Sequence, residues 1–140
     1  MRSSINLTKK IFELTNRPFI GIKKSEIHFV ANGHLNPMFT YFNFGNVPAK
    51  EINIGFSVVL DSKKIYNSNF TIDNIFPQNS ILWANTLNSD FKGMFTVKNT
   101  FDLFMKITYR GVTDEIYSTE ECYRYNSLSD DFKIIISKWD

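Results

Sequence analysis

Two stretches of apolar–polar alternation constrain this chain more than any other feature. Ile52, Ile54, Phe56, Val58 and Leu60 are interleaved with Asn53, Gly55, Ser57 and Val59, and Phe101, Leu103, Met105, Ile107 and Tyr109 repeat the period. Successive side chains of a strand point to opposite faces, so a period of two makes one apolar and one polar face. That is the pattern of an antiparallel sheet packed on one side. Shorter runs join these two. Residues 19–22 and 27–30 read as one long or broken first strand, 35–43 as the next, 65–76 as a weaker one around Phe70 and Ile72, and 80–87 as another. An edge strand is expected near 94–97, and 115–125 returns after a turn at Arg110-Gly111. About seven strands punctuated by turn residues predict an all-β, antiparallel two-sheet sandwich.

Asn32-Gly33 is a strong hairpin signal, and the register around it follows from burial. A two-residue turn would set Phe29 against Asn36. A three-residue loop with a bulge at Gly33 sets Phe29 against Leu35 and Ile27 against Pro37. Only the second gathers Ile27, Phe29, Leu35, Phe39 and Tyr41 on one face, and a slip by one residue would invert them all. The bulged loop is expected. With Ile52, Ile54, Phe56, Val58, Leu103, Met105 and Ile107, these residues form the expected core.

The ends read differently. In 4–15, Ser4 can cap a short helix whose apolar stripe is Leu7, Ile11 and Leu14, and Pro18 stops it. In the tail, Ser129-Asp130-Asp131 is a good helix cap, and Phe132, Ile135, Ile136 and Trp139 fall at i, i+3, i+4 and i+7. Ile134-Ile135-Ile136 argues for a strand instead, being β-branched. Cap and stripe together favour a helix. The expected organisation is a helical lead-in over 1–17, the sandwich over 18–126 and a helical segment over 127–140. Exposed contiguous apolar stripes are uncommon on monomers, so Leu7, Ile11, Phe132, Ile135, Ile136 and Trp139 either pack against the sandwich or each other, or form a candidate partner surface.

Composition narrows the functional classes. Sixteen basic residues against fourteen acidic ones give a formal charge of +2, far from a nucleic-acid footprint. One cysteine, Cys122, permits no intrachain disulfide, and the neighbouring Glu120 and Glu121 oppose a reactive thiolate. His28 and His34 are diagonal neighbours across the hairpin with no further ligand beside them, so neither a metal nor a cofactor is expected. Adjacent carboxylate pairs on a strand diverge, and no nucleophile-elbow or phosphate-loop motif occurs. No enzyme activity is expected. The N-terminus lacks the apolar region of a signal peptide, and no apolar run is long enough to span a bilayer. Tyr66, Trp83, Tyr123 and Tyr125 are candidates for a ligand-stacking platform, with carbohydrate the leading guest.

Asn43-Phe44-Gly45-Asn46-Val47-Pro48-Ala49, lying between two alternating strands, resembles the N-x-G-x-x-x-A connection of bacterial immunoglobulin-like sandwich modules, including cell-adhesion-related domains. Phe76-Pro77 before a new strand is similar to the segment that closes one strand in those modules. Asn16-Arg17-Pro18-Phe19 resembles the point where a helix enters such a sandwich in membrane-tethered bacterial proteins. Tyr109-Arg110-Gly111 and Tyr117-Ser118-Thr119 fit the last hairpin of that class. The resemblance implies an immunoglobulin-like fold and a non-catalytic module that binds another protein or self-associates. It implies a cell-envelope setting with at most indirect membrane contact; the alternative role is carbohydrate binding. Within the connection, Gly45 is expected to permit a positive φ, Pro48 to withhold a ladder bond, and Ala49 to fit beneath the chain.

Overall fold

The computed structural model describes residues 16–94 and 98–139. The strands among them are β1 (Ile20–Phe29), β2 (His34–Asn43), β3 (Ala49–Leu60), β4 (Lys63–Ile75), β5 (Ser80–Ala84), β6 (Leu87–Asp90), β7 (Phe101–Arg110), β8 (Ile116–Asn126) and β9 (Asp131–Trp139). β1, β2 and β5 form one antiparallel sheet, with β6 also paired to β2. The other sheet runs β4-β3-β7-β8-β9, again antiparallel. The result is a β-sandwich. No α-helix occurs among the described residues, so none there is long and apolar enough to cross a membrane. The helix expected over 4–15, with Leu7 and Ile11, lies outside the described residues, as do positions 95–97 of the expected edge strand. Met94 itself belongs to a short 3-10 turn.

The alternating stretches become β3 and β7, adjacent strands at the centre of the larger sheet. Their apolar faces meet β2 of the smaller sheet: the ring of Phe39 lies 6.1 Å from Phe56, and the Tyr41 hydroxyl lies 3.4 Å from the Met105 sulfur. The residues expected inside are buried, except that Phe29 is half-buried against Phe101, Tyr125 and Phe132. The first hairpin has the expected register, Phe29 opposite Leu35 and Ile27 opposite Pro37. Asn32 and Gly33 both take the left-handed region there, at φ 69° and 74°. Asp61 and Ser62 do the same between β3 and β4, the requirement of a two-residue turn matched to strand twist.

The tail is a correction. Residues 131–139 are not a helix but a strand, paired with β8 from Asn126–Asp131 to Thr119–Trp139. Three successive β-branched isoleucines favour a strand, and the open edge of β8 supplies a ladder that an isolated short helix would lack. The helical stripe was formally present. Only Phe132 of that stripe reaches the core, however, while Ile135, Ile136 and Trp139 stay exposed.

The 43–49 connection is held by one side chain. Asn43 is fully buried; its Nδ2 donates to the carbonyls of Val47 (2.8 Å) and Ile75 (3.0 Å). Its Oδ1 accepts from the backbone N–H groups of Phe19 (3.2 Å) and Gly45 (2.9 Å). Gly45 does not take a positive φ; the only described glycine that does is Gly33. The reason for glycine is close approach, since a Cβ at position 45 would collide with the backbone of residues 17–19. Ala49 is fully buried beneath the connection.

Candidate functional site

β9 is the last strand of the larger sheet, and among the described residues only β8 pairs with it. Its register shifts between Ile134, opposite Tyr123, and Ile136, opposite Cys122, leaving Ile135 as the extra residue of a bulge. The bulge inverts the alternation. Phe132, Ile134 and Ser137 are on the inner side, aligned with Tyr125, Tyr123 and Glu121, while Lys133, Ile136 and Lys138 are on the outer side, aligned with Arg124, Cys122 and Glu120.

Phe132 anchors the strand at 5.0 Å from the ring of Tyr125. Lys138 anchors the other end, 3.0 Å from Glu120, which also lies 3.8 Å from Lys106. Trp139 packs edge-on against Phe19 at 4.8 Å, and the Arg17 guanidinium lies 4.3 Å from the Tyr117 ring and 5.8 Å from that of Trp139. Between the anchors, Ile134, Ile135 and Ile136 remain 54%, 43% and 46% exposed, and Trp139 is 56% exposed. An edge unpaired among the described residues and bearing three contiguous aliphatic side chains is the main unburied apolar feature that the topology creates here.

Under this edge lies a buried carboxylate. Glu121 faces inward beside Met105 and accepts a hydrogen bond from the Tyr123 hydroxyl. Burial raises its carboxyl above the usual glutamate range, and the bonds from Tyr123 and Ser137 only partly offset that. Burial also raises the phenols of Tyr123 and Tyr41. A carboxyl raised in the folded state favours folding below its unfolded pKa, and that contribution is lost as pH rises through the folded value. Glu121→Gln is therefore expected to raise the thermal midpoint at pH 7 to 8 and leave it nearly unchanged near pH 4. Melting curves at both pH values check this; equal shifts at the two would contradict it.

The other sequence-derived residues scatter. Tyr66 is on β4, Trp83 on β5, and Tyr123 and Tyr125 on β8. Tyr123 is buried, Trp83 stacks on Phe70 at 5.1 Å, and Tyr66 and Tyr125 pack against the core, so the four rings do not form one exposed platform. Cys122 is buried on the outer side of β8, where burial raises its thiol pKa and Asp102 adds to the shift. His28 is exposed opposite Asn36, and His34 begins β2. Among the described residues no group of three or more His, Cys, Asp or Glu side chains could hold a metal ion. A shallow open groove of about 190 Å³ on the outer face of the smaller sheet is lined by Lys24, Glu26, Met38, Thr40 and Leu82. Sequence reasoning named Ile135, Ile136 and Trp139 but missed Ile134 and the edge itself. The signal was the β-branched triplet. The chain matches no protein-family model and no curated protein.

Proposed function

We propose that this chain is a non-catalytic protein–protein binding or assembly module built on an immunoglobulin-like sandwich, with β9 as its contact element. The observation that carries the reading is the edge of β9 away from β8, unpaired among the described residues, with Ile134, Ile135, Ile136 and Trp139 exposed along it. A sheet edge recognises another strand through backbone hydrogen bonds, with side-chain contacts adding specificity. The immunoglobulin-like assignment is supported by strand order: β1-β2-β5 faces β4-β3-β7-β8, and the chain changes sheet after β2, β4 and β6. The resemblance around Asn16-Arg17-Pro18-Phe19 supports a setting at a bacterial cell envelope. Against catalysis stand the raised thiol of Cys122 and the divergence of Glu120 and Glu121, one in ion pairs and the other buried.

Ile135→Lys tests the reading, because Ile135 contributes nothing to the core. Cross-linking in the native host is expected to join the wild-type chain to a protein partner, itself or another, through residues 131–139, and the variant is expected to lose that link. A link that survives the substitution would overturn the reading. So would glycan-array binding by both forms without any protein link, which would instead favour the carbohydrate role.

A further inference from the structure

We propose that the partner of β9 is a second copy of this chain, joined edge to edge in antiparallel orientation about a twofold axis. The proposal rests on the binding-module reading and names the occupant of its contact element. Joining two five-stranded sheets in this way makes one continuous sheet of ten strands.

The strand is close to self-complementary. In an antiparallel pair, directly opposed residues project to the same face. The bulge at Ile135 puts residues 133, 136 and 138 on the outer side and 132, 134 and 137 on the inner side, so only registers that pair across this inversion keep the faces matched on either side of Ile135. Two such registers overlap most of the strand. One sets Lys133 opposite Lys138 of the second copy, twice over by symmetry, and like charges directly opposed are destabilising. The other sets Asp131 opposite Lys138, Phe132 opposite Ser137, Lys133 opposite Ile136 and Ile134 opposite Ile135. Two Asp–Lys pairs then flank a centre made of the exposed isoleucines, and charge selects this register. Lysines and bulges commonly protect an edge from such pairing. Here Lys138 is already held at 3.0 Å by Glu120 and meets a further carboxylate, and the bulge is what brings the matched faces into register.

Sedimentation of the 140-residue chain tests the proposal. Sedimentation equilibrium of the wild type from micromolar to near-millimolar concentration is expected to show a monomer–dimer equilibrium. Ile135→Lys is expected to abolish it with an unchanged circular dichroism spectrum. Asp131→Lys is expected to weaken it about tenfold, through two opposed pairs turned repulsive. A wild type that stays monomeric throughout overturns self-pairing, and so does a dimer indifferent to Ile135→Lys and Asp131→Lys. Monomeric wild type with slow hydrogen exchange along 131–139 also overturns it, and assigns the edge to a cover from within the chain. If self-pairing fails while the host cross-link of Ile135 to a different protein persists, the binding-module reading stands without it.

Discussion

Asn43→Ala is expected to remove about 4 kcal/mol of stability, a large share of what holds a domain of this size folded. The substitution removes two donated and two accepted hydrogen bonds and strands the carbonyls of Val47 and Ile75 and the N–H groups of Phe19 and Gly45. Leaving one buried polar group without a partner costs about 1–3 kcal/mol. Some of these four groups reach water once the side chain is gone, which makes about 4 kcal/mol a reasonable total. Domains of this size are commonly stable by only about 5–15 kcal/mol. Equilibrium urea unfolding measures the loss directly. A shift no larger than about 1 kcal/mol, the size of an average substitution, would show that the connection is held by something other than Asn43.

Phe56→Ala is the second large effect. Phe56 is 1% exposed and stands between the sheets, with the rings of Phe39 and Trp83 each 6.1 Å away and Tyr66 at 6.4 Å. Removing a buried Phe side chain costs about 3–5 kcal/mol, part from lost transfer energy and part from the cavity. The surrounding rings are rigid and come from both sheets, so little collapse into the space is expected, and the loss belongs near the upper end of that range. A loss below about 1 kcal/mol would place the core face of β3 elsewhere.

How much of this could be read from the chain depends on how one-sided each environment is. β3 and β7 face a core on one side and a polar surface on the other, so their alternation reports the fold directly. The Asn32-Gly33 register was legible for the same reason, because only one pairing kept Phe29 and Leu35 on the buried face. β9 has no such contrast. Exposed on both sides beyond Phe132, it carries three isoleucines in succession, and a bulge inverts its alternation midway, so its apolar residues fit a helical stripe as well as a strand. The edge that makes it a candidate contact depends on which strand stands beside it, a non-local fact absent from its own residues. The Asn43–Ala49 segment was recognisable from its residue types. The role of Gly45 was not, since the backbone that crowds it comes from residues 17–19, distant in sequence.

The contact between Phe19 and Trp139 gives the sandwich a mechanical character. The chain enters β1 and leaves β9 at the same corner, with the two rings 4.8 Å apart. Tension applied through these two ends therefore does not shear the sheets along their length. It opens them from that corner, loading the bonds of a ladder one after another, the weakest way to pull a sheet. The two strands at the corner resist unequally. β1 is clamped at its first residues by the bond from Phe19 N–H to Asn43 and by the bond from Phe44 N–H to the Phe19 carbonyl at 2.7 Å. Besides its ladder to β8, β9 is held there by ring contacts and by the Lys138–Glu120 pair, whose exposed lysine lets water screen it in part. Under load β9 is therefore expected to peel before β1 does.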